Sequence, residues 1–283
     1  MQEYINTKKL LRSCVPLMTP LDAPADRPLI LVSNDDGIDA AGIAALVRAL
    51  AGLGTVAVVA PFEEQSAVGH AITIRMPMRV HEWTFARGAD AAAPPVWACA
   101  ITGTPADCVK IAVQKLLPRP PDLVVSGINH GPNTAVNVMY SGTVSAATEA
   151  TILGVPAIAV SHAEWRPTDF DAAGQAARTL AERVLADGLP TGVLLNVNVP
   201  GGLPRGMRTT RQARSRWEEA FEERRDPFDR PYFWLGGRHL DLDDGADTDT
   251  AAVADGFVSV TPLAIDLTAH GALDYVRAWT DAT

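Results

Sequence analysis

The chain contains 283 residues, carries a formal net charge of −9 at pH 7, and is 47% hydrophobic. This length predicts one large domain or a core domain with an appendage, with enough apolar side chains for a substantial core. The acidic balance argues against a stable nucleic-acid complex, which favours a basic face. No apolar run is long enough to cross a bilayer, so a membrane partner is not expected either.

The N-terminal stretch, residues 1–27, is predicted to be a loosely structured extension. We do not expect it to be a signal peptide, because Arg12 interrupts its short apolar stretch. The chain's cysteines are too few and too irregularly spaced for a zinc site or a disulfide framework, which indicates free thiols in a reducing compartment and predicts a cytoplasmic protein. These cysteines are Cys14, Cys99 and Cys108.

After the extension, apolar strands alternate with helical segments, a pattern typical of an α/β fold with a largely parallel sheet. Thr104 is expected to cap one of these helices, with Asp107 at the third helical position. In chain order, the predicted elements are a strand over 29–33, a helix over 41–52, a strand over 56–59, a hairpin-like region over 72–101, a helix over 105–116, a strand over 122–126, a helix from about 141 and a last buried strand over 157–161.

Polar side chains follow several of these predicted strands. Asp35 and Asp36 come directly after the first strand, Ser66 follows the second, and Asn129 and Asn133 follow the strand that begins at residue 122. In open parallel sheets, ligands bind beyond the carboxyl ends of the strands, where the strand order reverses. We therefore expect one crevice to collect these side chains.

The two adjacent aspartates predict a metal site. Neighbouring carboxylates repel each other unless a cation or several donors compensate. The oxygen-rich set of Asp35, Asp36, Ser66 and Asn129 suits one hard divalent cation, Mg²⁺ or Mn²⁺, and no His or Cys pair has zinc-ligand spacing. The alternative is structural, with one aspartate capping a helix, the other solvated in a loop, and Ser66 and Asn129 forming turns.

A second set of residues predicts a phosphate site. Ser141, Gly142 and Thr143 open a helix, where free N–H groups and the helix dipole attract anions. Ser141 is equally suited to an ordinary helix cap. In the candidate loops, His70 and His130 are possible acid or base groups.

The chain lacks a Walker A motif, a dinucleotide fingerprint and a nucleophile elbow, which disfavours a kinase, a dehydrogenase and an α/β-hydrolase. Besides a phosphatase, two other functions are compatible with a metal site beside a phosphate site. One is a non-catalytic, metal-dependent nucleotide-binding or regulatory protein. The other is a sugar-nucleotide-dependent transferase, which should have a second nucleotide-binding domain that this length scarcely permits.

Several separated motifs resemble the SurE survival-protein family, in the family's order and from about Pro28 to Thr268. One departure follows Pro61, where the chain has Phe62 and the family usually has Asp. The matching motifs are Ser33-Asn34-Asp35-Asp36-Gly37, Ala60 to Ser66, Gly69 to Thr73, Gly103 to Val109, Val125 to Asn133, Tyr140 to Ala147, Thr248-Asp249-Thr250 and Gly256 to Leu263.

The resemblance implies a 5′-nucleotidase that hydrolyses nucleoside 5′-monophosphates, with some members accepting 3′-nucleotides and short polyphosphate. It implies a metal bound by Asp35, Asp36, Ser66 and Asn129. It also implies phosphate contacts from Asn133, Ser141 and Thr143. It also implies a Rossmann-like core, here 28–200, and a homodimer or homotetramer that exchanges C-terminal segments, here within 201–283 and its arm at 211–237. From composition alone, that arm could also be a mobile, charged surface loop.

The expected chemistry is metal-assisted transfer of a phosphoryl group to water. Asn133 and the turn at Ser141 would hold the phosphate and stabilise charge in the transition state. One of the two aspartates could act as a general base or as a nucleophile, with Asp36 the candidate acid or base, and the sequence does not choose between these roles. His130 is the other possible acid or base.

Overall fold

The computed structural model describes residues 19–85 and 96–280, and within these ranges one nine-stranded sheet forms the centre of the molecule. Its order is β3-β4-β2-β1-β5-β6-β7-β11-β8. The strands are β1 (Leu29–Ser33), β2 (Thr55–Pro61), β3 (Val80–Phe85), β4 (Val96–Ile101), β5 (Leu123–His130), β6 (Ala157–His162), β7 (Val193–Val199), β8 (Met207–Thr209) and β11 (Val258–Ala264).

Helices cover both faces of this sheet. The helix pair α1 and α4 lies over one hydrophobic cluster, and the pair α2 and α3 lies over the other. This is the layering that parallel strands need, since both of their faces must be buried. The helices are α1 (Ala41–Leu50), α2 (Pro105–Ile111), α3 (Gly142–Ile152), α4 (Asp171–Asp187), α5 (Asp249–Ala254) and α6 (Leu273–Thr280).

The central strands run parallel, which confirms the predicted α/β fold. β1 pairs in parallel with both β2 and β5, whereas β3 and β11 run antiparallel to β4 and β7. From β1 the chain builds one half of the sheet through β2, and the other half through β5. The strand order therefore reverses at β1, and a crevice is expected at its carboxyl end.

Several predicted elements match the structure closely. β1 has the predicted bounds, and the hairpin-like region contains the antiparallel pair β3 and β4. The expected cap of α2 is present, because the Asp107 backbone N–H donates to Thr104 Oγ1 at 3.1 Å and the Thr104 N–H donates to Asp107 Oδ2 at 2.9 Å. A π-helical turn, Ala112–Leu116, continues that helix to its predicted end.

Two predictions about the strands were wrong. β5 does not end at residue 126 but continues to His130, with a register shift between Gly127 and Asn129 that lets polar residues remain paired with β6. β6 is also not the last buried strand, since β7 and β11 extend the sheet beyond it. β7 carries the fully buried Asn196 and Asn198, and these polar residues conceal the apolar pattern of a buried strand.

The described part of the N-terminal extension, residues 19–27, contains no helix or strand but contacts the sheet. Trp97 Nε1 donates to the carbonyl oxygen of Thr19 at 2.8 Å, while Leu21 and Ala23 pack against the hydrophobic cluster beneath α2 and α3. The preceding residues 1–18, including Cys14, lie outside the described ranges.

A long hairpin projects from the sheet within the predicted arm. Its strands, β9 (Ser215–Arg225) and β10 (Pro231–Asp241), are each 11 residues long and pair only with each other among the described residues. β8 and β11 also come from residues 201–283, and they complete the core sheet. Across the described ranges, the structure contains no helix with the length and apolar character needed to span a membrane.

Candidate active site

A pocket of about 200 Å³ opens at the carboxyl end of β1, where the strand order reverses. It brings together residues predicted from separate stretches of the chain, since Asp35, Ser66, Asn129, Asn133 and Ser141 line it, whereas Asp36, Gly142 and Thr143 are not among its lining residues. The remaining lining residues are Ala67, His130, Pro132, Asn137, Tyr140, Trp165 and Trp217.

Asp35 is buried at the base of this pocket, against the first turn of α3. The Thr143 hydroxyl donates a hydrogen bond to Asp35 Oδ1. A Cβ placed on Gly142 would lie 2.8 Å from Asp35 Oδ2, so only glycine allows this approach. Desolvation by burial raises the pKa of Asp35, although hydrogen bonds from Thr143 and Gly142 oppose the rise.

Asp36 lies beside Asp35 with an unsatisfied carboxylate oxygen. Its Oδ2 is buried and has no hydrogen-bond partner, and its Oδ1 is 4.0 Å from His130 Nδ1. Desolvation by burial, followed by the charges of Asp35 and Glu64, raises the pKa of Asp36 to about 7. Among the described residues, the one ion pair formed by these two carboxylates is the 4.0 Å contact with His130, and neither carboxylate is paired with a lysine or arginine.

Ser66 and Asn129 approach the pocket from β2 and β5. The Ser66 hydroxyl donates to Glu64 Oε1 at 2.5 Å. The Asn129 side-chain nitrogen donates to the carbonyl oxygens of His130 and Gly131, at 3.1 and 2.8 Å. The amide nitrogen of Asn129 is therefore held by the loop, and its amide oxygen is left for the pocket.

These groups fit a hard divalent cation. They supply carboxylate, hydroxyl and amide oxygens, and the orphaned Oδ2 of Asp36 is a buried atom that a cation would satisfy. The described ranges contain no cluster of three or more His, Cys, Asp or Glu side chains able to hold a metal. A cation here would therefore depend on Ser66 and Asn129 as well as on the two aspartates.

Asn133 is fixed by side chains from the neighbouring strands. Its backbone N–H donates to Asn198 Oδ1 at 2.8 Å, and its side-chain nitrogen donates to Ser161 Oγ at 2.8 Å. Its carbonyl oxygen accepts from Asn196 at 2.8 Å and from Asn198 at 3.2 Å. Asn133 consequently has a defined position although it follows a loop.

The amino terminus of α3 is occupied by protein groups. Ser141 is the helix cap, as its Oγ accepts from the Val144 N–H at 3.1 Å. Gly142 and Thr143 direct their hydrogen bonds to Asp35. Of the three residues predicted to seat a phosphate, Ser141 lines the pocket, whereas the other two orient the carboxylate beside it.

The two candidate histidines lie in different environments. His130 lines the pocket and stacks on Phe170, with 5.3 Å between ring centroids. His70 instead lines a separate cavity, which it shares with Val138 and the residues around it, and its Nε2 is 3.0 Å from Glu149 Oε2. Only His130 is therefore positioned beside the aspartates.

Comparison with known proteins identifies the family. A profile described as Survival protein SurE matches residues 30–219. The 5′-nucleotidase SurE of Christiangramia forsetii is 46% identical over 258 residues, covering 90% of this chain and 97% of that protein. The 5′-nucleotidase SurE of Syntrophotalea carbinolica is 47% identical over 254 residues, covering 89% and 97%. The chain belongs to the SurE family.

A solved SurE structure agrees with this assignment. The crystal structure of the SurE protein from Aquifex aeolicus superposes with a TM-score of 0.74 at 36% identity, covering 89% of this chain and all of that one. The SurE profile ends within β9, whereas the similarity to the curated SurE relatives extends over most of the chain.

In this SurE chain, sequence reasoning missed residues that act on the pocket from outside the recognised loops. Trp165 and Trp217 line it, although no sequence pattern marks either one as a site residue. The fully buried Asp249 accepts from the N–H groups of Ala135 and Ala213, both at 2.9 Å, and so connects the loop after Asn133 to the start of the hairpin. The motif around Asp249 was recognisable in the sequence, but the role of Asp249 in joining these two segments was not.

Proposed function

We propose that this protein is a metal-dependent 5′-nucleotidase that hydrolyses nucleoside 5′-monophosphates to nucleoside and phosphate. The observation that carries the proposal is the composition of one pocket. Its base holds the buried Asp35 with Asn129 and Asn133, and its rim holds the indoles of Trp165 and Trp217. An oxygen-rich base with an aromatic rim suits a ligand that has an anionic head and a planar body.

Asp35, Asp36, Ser66 and Asn129 would hold one divalent cation, with Mg²⁺ or Mn²⁺ favoured by the all-oxygen donor set. When bound, this cation supplies the positive charge that phosphoryl oxygens need as charge develops during hydrolysis. Thr143 and Gly142 keep the Asp35 carboxylate oriented toward the pocket.

Asn133 and Ser141 would contact the phosphate. Asn133 is held on three sides by Ser161, Asn196 and Asn198, so its position costs little reorganisation when substrate binds. Ser141 accepts the Val144 N–H with its oxygen and retains its own hydroxyl proton for a phosphoryl oxygen.

Hydrolysis breaks the bond between phosphorus and the 5′ oxygen and transfers the phosphoryl group to water. Proton transfers are needed at both the attacking water and the departing 5′ oxygen. The water loses a proton, and the 5′ oxygen of the departing nucleoside gains one. Asp36 and His130 are the two groups we assign to these transfers, since they lie 4.0 Å apart and His130 lines the pocket.

We also propose that the protein is a homodimer or homotetramer joined through its C-terminal elements. The β9–β10 hairpin exposes Phe221, Phe233, Trp234 and Leu235, each at 58% or more. In α6, every residue is exposed although the helix is amphipathic. Apolar surfaces of this kind are typical of protein–protein contacts.

We also propose that the protein is cytoplasmic, because the buried Cys99 and Cys108 are free thiols, which are typical of a reducing compartment.

The test is phosphate release from a panel of nucleoside 5′-monophosphates, with and without a chelator. We expect release that the chelator stops and that Mg²⁺ or Mn²⁺ restores. Tight nucleotide binding without release would favour a regulatory binding protein, and release that persists in the chelator would contradict the metal role. Nucleoside 3′-monophosphates and short polyphosphate, added to the same panel, define how far the substrate range extends.

A further inference from the structure

Trp165 is a large aromatic residue that is exposed directly beside the pocket. Its side chain is 69% exposed, yet it lines the same pocket as Asp35 and Asn133. Leaving an indole in water forgoes the free energy of burying it, and exposed aromatic surface at a cleft is typical of a ligand contact.

The indole of Trp165 is held in place by the site's own backbone. It packs on Gly131, where an added Cβ would lie 2.5 Å from the ring, and the positive φ of +93° also favours glycine. The Gly131 N–H donates to the carbonyl oxygen of Glu164 at 3.0 Å. One ring face is thus seated on the loop between Asn129 and Asn133, and the residue remains largely open to solvent.

The size of the pocket implies that a bound nucleotide extends beyond it. Pockets that enclose small-molecule ligands have volumes of roughly 300–1,000 Å³, whereas this one has about 200 Å³. If the phosphate occupies the base of the pocket, the far end of the nucleotide lies at the rim. Of the aromatic residues with exposed surface in the pocket lining, Trp165 is the most exposed, at 69% against 52% for Tyr140 and 39% for Trp217. Trp217 also donates its Nε1–H to Asn137 Oδ1 at 2.9 Å and makes an edge contact with His239.

We propose that the indole of Trp165 is the surface on which the nucleobase of the substrate stacks, so that this residue sets the preference for nucleotides over other phosphate monoesters. This inference rests on the proposed nucleotidase function and adds a residue to it. Stacking tolerates any base because every base presents a π face. We therefore expect Trp165 to select for the presence of a base rather than for its identity.

The experiment compares a nucleoside 5′-monophosphate with ribose 5-phosphate, which has the same phosphate and sugar but no base. The measured quantity is the ratio of their kcat/KM values. Removing an aromatic stacking partner weakens base binding about 5- to 150-fold. Trp165→Ala should lower the ratio by a factor in this range, and Trp165→Phe should restore much of it. Leu203→Ala removes another exposed apolar side chain, one that does not line this pocket, and serves as the control.

The outcomes separate this inference from the function on which it rests. If the wild-type protein releases phosphate from nucleotides but Trp165→Ala keeps the wild-type ratio, the stacking role is wrong and the nucleotidase stands. A change in oligomeric state with an unchanged ratio would likewise assign Trp165 to a subunit contact and overturn its stacking role. If the wild-type protein releases no phosphate from any nucleotide, both proposals fail together.

Discussion

Asn198 bonds both backbone polar groups of Asn133, although the two residues are 65 positions apart in the chain. Asn198 Oδ1 accepts the Asn133 N–H at 2.8 Å, and Asn198 Nδ2 donates to the Asn133 carbonyl at 3.2 Å. Both residues are buried. A side chain on β7 thereby fixes the backbone that carries a proposed phosphate contact, as a neighbouring strand would.

This relationship predicts that Asn198→Ala lowers kcat without contact with the substrate. The Asn133 N–H would lose its acceptor, and displacing a positioning group by about 1 Å can cost roughly 100-fold in rate. We expect a fall in kcat of about 10- to 100-fold, larger than any rise in KM. Asn198→Asp keeps the acceptor for the N–H but places an oxygen against the carbonyl, so it should be impaired as well. Wild-type kcat in both variants would contradict the positioning role.

Asp36→Asn should abolish turnover while the fold remains intact. The variant keeps the size of the side chain but removes the negative charge that a divalent cation requires. Steady-state kinetics, calorimetric titration with Mn²⁺ and a thermal melt check the prediction together. The matched control is Asp39→Asn, because Asp39 is exposed and three residues away. Near-normal activity of Asp36→Asn would contradict the proposed role of the aspartate pair.

Gly142→Ala should inactivate the enzyme through Asp35. The new Cβ would lie 2.7 Å from the Cβ of Asp35 and 2.8 Å from its Oδ2, and neither atom can move far within the buried site. We expect activity to fall at least about 100-fold, since the carboxylate must shift. Thr148→Ala, a substitution in the middle of the same helix, is the control for helix stability. A fully active Gly142→Ala enzyme would show that the close approach to Asp35 is not required.

Asp107→Ala should lower the stability of the fold by roughly 0.5–2 kcal/mol, because it removes the capping box of α2 and the bonds to the Thr73 N–H. Burial alone would raise the pKa of Asp107, but hydrogen bonds from Thr73 and Thr104 dominate and lower it. Its contribution is therefore present above the unfolded pKa of about 3.9 and is lost as the pH falls through the lower folded value.

Urea unfolding of the wild type and of Asp107→Ala at several pH values tests the direction of this pH dependence. The difference in unfolding free energy between the wild type and Asp107→Ala should be largest near pH 7 and should shrink below about pH 4. Thr102 Oγ1 accepts an exposed hydrogen bond from the backbone N–H of Arg79, so Thr102→Ala is a control with little expected effect. A difference that grows in acid would contradict the lowered pKa.

Charges introduced on the hairpin should disrupt the assembly. Phe221 and Leu235 face each other across β9 and β10, and both are exposed in a single chain. Phe221→Glu combined with Leu235→Glu should shift the protein toward monomer, as measured by light scattering after gel filtration. Glu223→Gln, on the same strand, should leave the mass unchanged. An unaltered oligomer in the double variant would exclude this face as the contact.

The local elements were determined largely by the sequence itself. The apolar run of β1 and the Thr104–Asp107 cap were read correctly because both depend on neighbours a few residues apart. The loops around the aspartates and Asn129 were recognisable for the same reason, as their polar runs interrupt apolar strands. Parallel pairing then implied that the strand ends meet, which placed four separated residues in one pocket.

Only the tertiary structure decided which groups surround those residues. Asn198 reaches Asn133 from β7, and Thr143 turns to Asp35 rather than to open space. Trp165 lines the pocket with its ring packed on Gly131. Such contacts join residues tens of positions apart, and local periodicity carries no information about which buried polar side chain will satisfy which distant partner. The sequence by itself predicted that a charged site lies at the end of β1, and the packing of β6, β7 and α3 determined how that site is held and what it can bind.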